Sequence, residues 1–132
     1  MRYLDANIFI YILDESSEKT FQEISERILK RIQDEESVVT SFITLMEVFW
    51  WCEKHLKGKL KEIYETISSY EGLNIINVTF NLLDNVMSYK KRYGLELNDC
   101  ITLALMGQLG ISEIYSNDED FDKVEWVKRV FK

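Results

Sequence analysis

The order of β-rich runs and helical stretches constrains the fold of this chain more than any other feature. Runs typical of strands lie at residues 2–4, 37–40, 73–78, 111–115 and 124–127. Apolar residues at helical spacing fill most of the stretches between them, and no Asn-Gly hairpin signal joins two runs. Strands separated by helices are typical of a parallel sheet with helices on both faces. The sequence therefore predicts a three-layer α/β fold with four or five parallel strands.

Capping residues and glycines mark the ends of the predicted helices. Thr20 followed by Glu23 has the spacing of a capping box, which predicts that a helix starts there. Gly94 and Gly110 follow two further helical stretches, as expected for C-caps. With these boundaries, helices are predicted at about residues 7–13, 21–33, 42–57, 60–70, 80–93 and 100–109.

Length and composition limit the class of protein. A chain of 132 residues is typical of one domain, so we expect residues 1–132 to form a single unit. A hydrophobic fraction of 46%, with seven Phe, seven Tyr and three Trp, predicts a packed core. No apolar run approaches the roughly 20 residues of a membrane span, and no signal-peptide pattern precedes the first strand. We expect a cytoplasmic protein that does not bind membranes, with Cys52 and Cys100 unpaired.

The net charge of −7 is the wrong sign for a protein that binds nucleic acid through surface charge alone. That objection weakens if several acids are clustered to hold divalent cations, because bound metal inverts the local field. The only histidine, His55, excludes most histidine-based zinc sites and histidine-dependent triads.

Acidic residues follow two predicted strands and begin two predicted helices. Asp5 comes directly after the first strand, and Asp118 and Asp120 follow the fourth. Glu47 and Asp99 lie near helix starts. Because strand ends and the helix starts after them share one edge of a parallel sheet, these distant positions are expected to converge. Mg²⁺ and Mn²⁺ prefer such hard oxygen ligands, and a bound ion activates water and neutralises charge in phosphodiester hydrolysis.

Each acid also has a purely structural interpretation. Glu47, three residues after Thr44, has the spacing of a capping box. Asp99 in a first helical turn is stabilised by the helix dipole, and residues 118–122 are typical of an exposed Asx-type turn. Asp5 is the hardest to explain structurally, because a carboxylate between apolar neighbours is costly without a partner. The four acids together indicate a site more strongly than any one alone.

Four segments resemble the motifs of PIN domains, and the resemblance covers essentially the whole chain. The length is similar to that of the VapC-type toxins of toxin–antitoxin pairs. The resemblance implies a magnesium- or manganese-dependent endoribonuclease that leaves 5′-phosphate and 3′-hydroxyl ends. It also implies an RNA substrate, a cognate antitoxin and a homodimer. The segments are Tyr3–Ile10 (YLDANIFI), Thr44–Val48 (TLMEV), Asn98–Ala104 (NDCITLA) and Tyr115–Phe121 (YSNDEDF).

The resemblance assigns roles to individual positions. Four acids match the catalytic and metal-binding quartet of the family. One more acid matches a frequent additional metal ligand, and two residues match supporting polar positions. Cys100 departs from the small or aliphatic residue of many relatives. The quartet is Asp5, Glu47, Asp99 and Asp118, the extra acid is Asp120, and the supporting residues are Asn7 and Ser116. Candidates for phosphate contact are Lys54, Lys57, Lys59 and Lys61, or Lys90, Lys91 and Arg92.

Other interpretations belong to different classes. A phospho-acceptor signalling domain needs a lysine at the end of its last strand, and this chain has none before its acidic loop. A phosphatase of the DxD type is excluded because Asn7 stands at its second acid. A PIN-like module that only binds RNA or protein would keep the fold, but the intact quartet argues against it. A free-standing RNA-processing nuclease without an antitoxin stays open.

Overall fold

The computed structural model describes all 132 residues and contains five strands and six α-helices. Two short 3₁₀ turns, Phe80–Leu82 and Glu119–Lys123, complete the secondary structure. None of the helices has both the length and the apolar character that crossing a membrane requires. In chain order the elements are β1 (Arg2–Leu4), α1 (Ala6–Leu13), α2 (Lys19–Asp34), β2 (Val38–Ser41), α3 (Phe42–His55), α4 (Leu60–Ser68), β3 (Leu73–Ile76), α5 (Leu83–Tyr93), α6 (Leu97–Leu109), β4 (Glu113–Tyr115) and β5 (Lys128–Val130).

All five strands are parallel, in the order β3-β2-β1-β4-β5, which confirms the predicted sheet. Tyr3 of the central strand lies opposite Val39 on one side and Ile114 on the other. The chain places β2 and β3 on one side of β1, then crosses to place β4 and β5 on the other. The carboxyl ends of β1 and β4 therefore flank the reversal point, where open α/β sheets bind ligands.

A separate apolar core covers each face of the sheet. Strand alternation sends Tyr3 and Leu4 to opposite faces, so each contributes to a different core. Tyr3 packs with Val86 of α5 and Met106 of α6, whereas Leu4 packs with residues of α1 to α4 such as Ile28. Residues 100–106 of α6 are all buried, because the middle of this helix lies inside its core, whereas both ends of the helix are exposed. The predicted three-layer architecture is confirmed.

The capping box predicted at Thr20 is wrong. Helix α2 begins at Lys19, its N-cap is Glu18, and no side chain caps it. The backbone N–H of Gln22 donates to the carbonyl of Glu18, so the first turn closes before Thr20 can act as a cap. Thr20 and Glu23 are both exposed. Local spacing was misleading here because the chain enters the helix earlier than the polar signal indicates.

The last strand and the last long helix also differ from prediction. The final strand lies at Lys128–Val130 rather than at residues 124–127. Val124 is buried in the core and its carbonyl accepts from Val127 N–H, so these residues form a turn. Helix α6 starts at Leu97 instead of Cys100, which places Asp99 third in the helix. Cys52 and Cys100 are both buried free thiols, as expected.

Candidate metal centre

Asp5 lies where β1 ends and caps the helix that follows. Its Oδ1 accepts a hydrogen bond from the backbone N–H of Ala6 at 2.9 Å, and its Oδ2 accepts one from Ser116 Oγ at 2.6 Å. The carboxyl is buried, and this desolvation raises its pKa. The two hydrogen bonds act in the opposite direction, whereas the charge of Asp118 adds to the increase. The sheet thus holds an acid in fixed orientation at an apolar position.

Ser116 links three of the predicted site residues. Its hydroxyl, fully buried at the end of β4, donates to Asp5 and accepts from Asn7 Nδ2 at 3.2 Å. It also accepts from the backbone N–H of Asp118 at 3.0 Å. A hydroxyl has one donor and two acceptor positions, so this side chain is fully used. Of the two residues predicted as supporting, Ser116 bonds directly to Asp5, and Asn7 bonds to Ser116.

We expect Ser116→Ala to destabilise the protein by about 1–3 kcal/mol, because it leaves buried polar partners unsatisfied. The affected groups are the Asp5 carboxylate, the Asn7 amide and the Asp118 N–H. Urea unfolding measures the change, with Ser112→Ala as the matched control at an exposed serine. Equal effects of the two substitutions would show that the hydroxyl does not organise the site.

Asp99, Asp118 and Asp120 come close enough together to share an ion. One carboxylate oxygen of each lies within 4.8 Å of the other two, and all three residues are half-buried. Asp118 also accepts from the Asp120 N–H at 2.9 Å, so the predicted Asx-type turn and the predicted site coexist. Asp120 has a basic neighbour, Lys123 Nζ, at 3.1 Å from its Oδ1.

Glu47 is not the acid of a capping box, which corrects the structural interpretation given above. The N-cap of α3 is Ser41, whose hydroxyl oxygen accepts from Thr44 N–H at 3.0 Å. Glu47 lies further along the helix, half-buried and without a hydrogen bond to its carboxylate. Burial raises its pKa to about 7, with contributions from the charges of Asp5 and then Glu96.

The pKa of Asp99 reflects its burial and the charges of the other acids in the cluster. Burial, followed by the charges of its acidic neighbours, raises its pKa to about 7. Those neighbours, in decreasing order of effect, are Asp5, Asp118, Glu47 and Glu96. The four acids of the predicted quartet therefore act on one another, although they come from distant parts of the sequence.

No basic side chain forms an ion pair with an acid of the quartet, although Arg129, which pairs with Asp122, also senses the charge of Asp118. Eight ion pairs occur in the structure, and none includes Asp5, Glu47, Asp99 or Asp118. Clustered carboxylates without a counter-charge disfavour their own ionised forms. A divalent cation with oxygen ligands would remove that repulsion. The residues present therefore fit a Mg²⁺- or Mn²⁺-type ion by their donor chemistry and by their missing counter-charge.

The raised pKa values predict the direction in which pH changes the stability of the metal-free protein. The values of Glu47 and Asp99 are about 7 in the fold, against ordinary values of 4.5 and 3.8. Between these limits the unfolded chain loses its protons first, so stability falls as pH rises from about 4 to about 7. Thermal unfolding in chelator should therefore give a higher Tm at pH 5.5 than at pH 8.

Added Mn²⁺ provides the control for this expectation, because metal binds the deprotonated carboxylates and is favoured as pH rises. The gain in Tm from Mn²⁺ should be larger at pH 8 than at pH 5.5. A metal-free Tm that rises over this range would contradict the electrostatic description of the cluster.

Glu96 is a neighbour of the site that the sequence analysis did not select. It is the exposed N-cap residue of α6 but makes no side-chain capping hydrogen bond. Its charge raises the pKa values of both Glu47 and Asp99. Its position three residues before Asp99 could have identified it from the sequence, because residues three apart lie on the same face of a helix.

Most of the basic residues considered for phosphate contact are engaged within the chain. Lys54, Lys57 and Lys91 are exposed and make no ion pair. The others have partners: Lys59 pairs with Glu62, Lys61 with Glu65 and Arg92 with Glu125, while Lys90 Nζ donates to the Leu95 carbonyl. Among these candidates, Lys54, Lys57 and Lys91 are thus the ones without a partner in the chain, which has a net charge of −7.

Comparison of the sequence with known protein families identifies the family to which the chain belongs. The model of the PIN domain family matches residues 2–127 of the sequence. No curated protein matches the chain.

Several solved structures share the fold along nearly the full length of both chains. VapC20 of Mycobacterium tuberculosis, described as a toxin that cleaves the sarcin-ricin loop, superimposes with a TM-score of 0.81 at 17% identity, covering 100% of both chains. A toxin–antitoxin complex from Klebsiella pneumoniae gives a TM-score of 0.71 at 22% identity, covering 97% of this chain and 96% of the other. VapBC2 of Rickettsia felis, bound to a promoter DNA fragment, gives 0.69 at 17%, covering 98% of each. At these identities the likeness shows the fold.

Proposed function

The chain belongs to the PIN domain family, and we propose that it is a metal-dependent endoribonuclease, the toxin of a toxin–antitoxin pair. One observation carries the proposal. Four carboxylates from distant segments lie at the carboxyl edge of the sheet, and none of them forms an ion pair. Burial, together with the charges of neighbouring acids, raises the pKa values of Asp5, Glu47 and Asp99. Keeping such a cluster costs stability, and a role in holding a cation explains it. We propose that residues 1–132 act as a single nuclease domain.

In this proposal, one group of acids offers ligand oxygens that lie close together, and a second group lies next to it. Asp99, Asp118 and Asp120 offer oxygens within 4.8 Å of one another, and Asp5 and Glu47 border them electrostatically. We assign the catalytic role to Asp5, Glu47, Asp99 and Asp118, with Asp120 as a further ligand. When bound, Mg²⁺ or Mn²⁺ supplies an activated water and stabilises negative charge on the phosphate and the leaving oxygen.

The surrounding residues position these acids. Ser116 and the Ala6 N–H hold both oxygens of Asp5, while Asn7 orients the Ser116 hydroxyl. Without a cation the same negative field repels a phosphodiester, so the acids by themselves oppose substrate binding. Metal dependence of RNA cleavage thus follows from the charge of this pocket.

The toxin assignment rests on the fold shared with toxin–antitoxin proteins and brings further proposals. These are a cognate antitoxin, a homodimer, an RNA substrate and a cytoplasmic location. An antitoxin that inserts a basic side chain among the unpaired acids would be a natural inhibitor, because it would supply the missing counter-charge. One alternative is a free-standing RNA-processing nuclease, which would use the same chemistry without an antitoxin. The other is a PIN-like module that has no nuclease activity and only binds RNA or protein.

The direct test is cleavage of a mixed RNA pool by the purified full chain, with Mn²⁺, with Mg²⁺ and with chelator. We expect cleavage with metal, none with chelator, and products that carry 5′-phosphate ends. Product ends are read by their susceptibility to a 5′-phosphate-dependent exonuclease. Absence of cleavage with either metal, from protein that is folded and free of bound inhibitor, would favour the binding-module alternative.

A further inference from the structure

One large apolar side chain lies exposed beside the acidic site. Phe42 is the first residue of α3, directly after Ser41 ends β2, and 52% of it is exposed. The register pairs Tyr3 with Val39, and its continuation by two residues places Ser41 next to Asp5, about 4.8 Å away as in neighbouring strands. The side chain of Thr40 confirms this alignment, because its hydroxyl donates to the Leu4 carbonyl at 2.8 Å. Phe42 therefore borders the edge that carries the metal-binding acids.

The second apolar residue at this edge comes from the other helix that carries a site acid. Leu97 begins α6, two residues before Asp99, and 48% of it is exposed. Helix α6 packs against α3, and the charge of Glu96 reaches Glu47. Two half-exposed apolar side chains thus stand at the starts of the two helices that supply Glu47 and Asp99.

The ring of Phe42 has no aromatic or cationic partner within the protein. The aromatic pairs and the cation–π contacts of the structure do not include it. Phe49, on the same side of α3, is half-buried and packs with Tyr64 at a centroid distance of 6.0 Å. Packing therefore explains Phe49 but leaves the exposure of Phe42 unexplained.

The charge of the protein determines which contacts with RNA can supply affinity. Phosphate neutralisation by Lys and Arg normally dominates nucleic-acid binding. This chain has a net charge of −7, and most of its candidate basic residues are engaged with other groups of the chain. Stacking of bases on aromatic rings does not depend on charge and is a large term in single-strand binding. An exposed, unpaired ring at the edge of the site is suited to that contact.

We propose that Phe42 is a stacking platform for a nucleobase next to the cleaved phosphodiester, with Leu97 flanking the base. This inference rests on the proposed ribonuclease function and gives Phe42 a role in binding the substrate rather than in the chemical step. A base must leave its helical stack before a protein ring can cover its face. The same phosphodiester within a continuous duplex would therefore reach the acids without this contact and would bind more weakly.

The experiment compares Phe42→Ala, Phe42→Leu and Phe42→Tyr in cleavage of one single-stranded RNA. Loss of one stacking contact should raise KM about 5- to 100-fold in the first two variants, while kcat changes little. Phe42→Tyr keeps the ring and should remain near wild type. Trp50→Ala is the matched control, since Trp50 is 56% exposed on α3 about two turns further from the edge. A fall in kcat with KM unchanged, or an equal effect of Trp50→Ala, would overturn the proposal.

A binding measurement separates this inference from the ribonuclease function itself. Titration of the protein, in Mg²⁺ and in Mn²⁺, into single-stranded RNA that contains 2-aminopurine reports stacking by fluorescence quenching. Wild type and Phe42→Tyr should quench the probe, and Phe42→Leu should not. Quenching without cleavage would refute the ribonuclease function and support stacking on Phe42. Cleavage without quenching that depends on the ring would support the ribonuclease function and refute stacking on Phe42. A change of oligomeric mass in Phe42→Leu by light scattering would instead assign this residue to a protein interface.

Discussion

Replacement of Asp5 by Asn is expected to reduce metal-dependent RNA cleavage by at least about 100-fold, because changes even one shell beyond a metal cost 10- to 100-fold. Asn keeps nearly the same shape but removes the charge that the proposed ion requires. It is also a favoured N-cap, so its side-chain oxygen can still accept from the Ala6 N–H. Initial rates of RNA cleavage over a range of Mn²⁺ concentrations measure the loss and show whether metal affinity falls with it.

The fold should survive this substitution. The new amide would direct its NH₂ group at Ser116 Oγ, which already accepts from Asn7 and from the Asp118 N–H. The lost hydrogen bond costs about 1 kcal/mol, and relief of a buried charge offsets part of that cost. Circular dichroism and thermal unfolding should therefore give a folded protein with a Tm near that of wild type.

Asp84→Asn is the matched control for this prediction. Asp84 is an exposed acid in the first turn of α5, outside the acidic cluster. Its replacement should leave the rate of cleavage unchanged. A folded Asp5→Asn protein that retains most of its activity would remove Asp5 from the site and refute the assignment of the quartet.

Asp99→Asn is expected to have opposite effects on stability with and without metal. No hydrogen bond holds the Asp99 carboxylate, and burial together with four acidic neighbours raises its pKa to about 7. In chelator at pH 8, the neutral amide should therefore stabilise the fold. One pKa unit corresponds to about 1.4 kcal/mol, and solvent screening at this half-buried site reduces the gain to about 1–2 kcal/mol.

Saturating Mn²⁺ should reverse that order. A ligand at 100 times its Kd stabilises the folded state by about 2.7 kcal/mol, and the variant would lose most of this term. Thermal unfolding of both proteins at pH 8, in chelator and in Mn²⁺, gives the four Tm values required. We expect the variant to be the more stable protein in chelator and the less stable one in Mn²⁺.

The control for Asp99→Asn is an acid of the neighbouring loop that already has a counter-charge. Asp122 Oδ2 lies 2.9 Å from Arg129 Nη2, and this pairing lowers its pKa. Asp122→Asn should lower the Tm slightly in both conditions and leave the Mn²⁺ response intact. If Asp99→Asn behaved in the same way, the acidic cluster would not be the metal centre.

The structure confirms the features that the sequence predicts through short-range patterns. The β-rich runs, the apolar spacing of the helices and the glycines after α5 and α6 are local signals, and the elements form near them. Parallel pairing followed from the helical connections and the absence of hairpin turns. The errors also have a common cause. Thr20 and residues 124–127 have the right local composition, but the hydrogen bond from Gln22 to Glu18 starts the helix earlier and the one from Val127 to Val124 forms a turn.

The properties of the candidate site also fall into those that the sequence predicts and those that only the structure shows. The sequence alone determined that acids follow β1 and β4 and lie near the starts of α3 and α6, because strand ends and helix starts can be recognised locally. The cap of α3 is a local hydrogen bond between Ser41 and Thr44, but only the tertiary structure decided that Glu47 lies in the field of Asp5. It also placed Glu96 in the field of two site acids and left Phe42 exposed beside them. The reason is physical: pKa values, burial and unpaired charge depend on distances across the sheet between residues far apart in sequence, and local spacing carries no information on those distances.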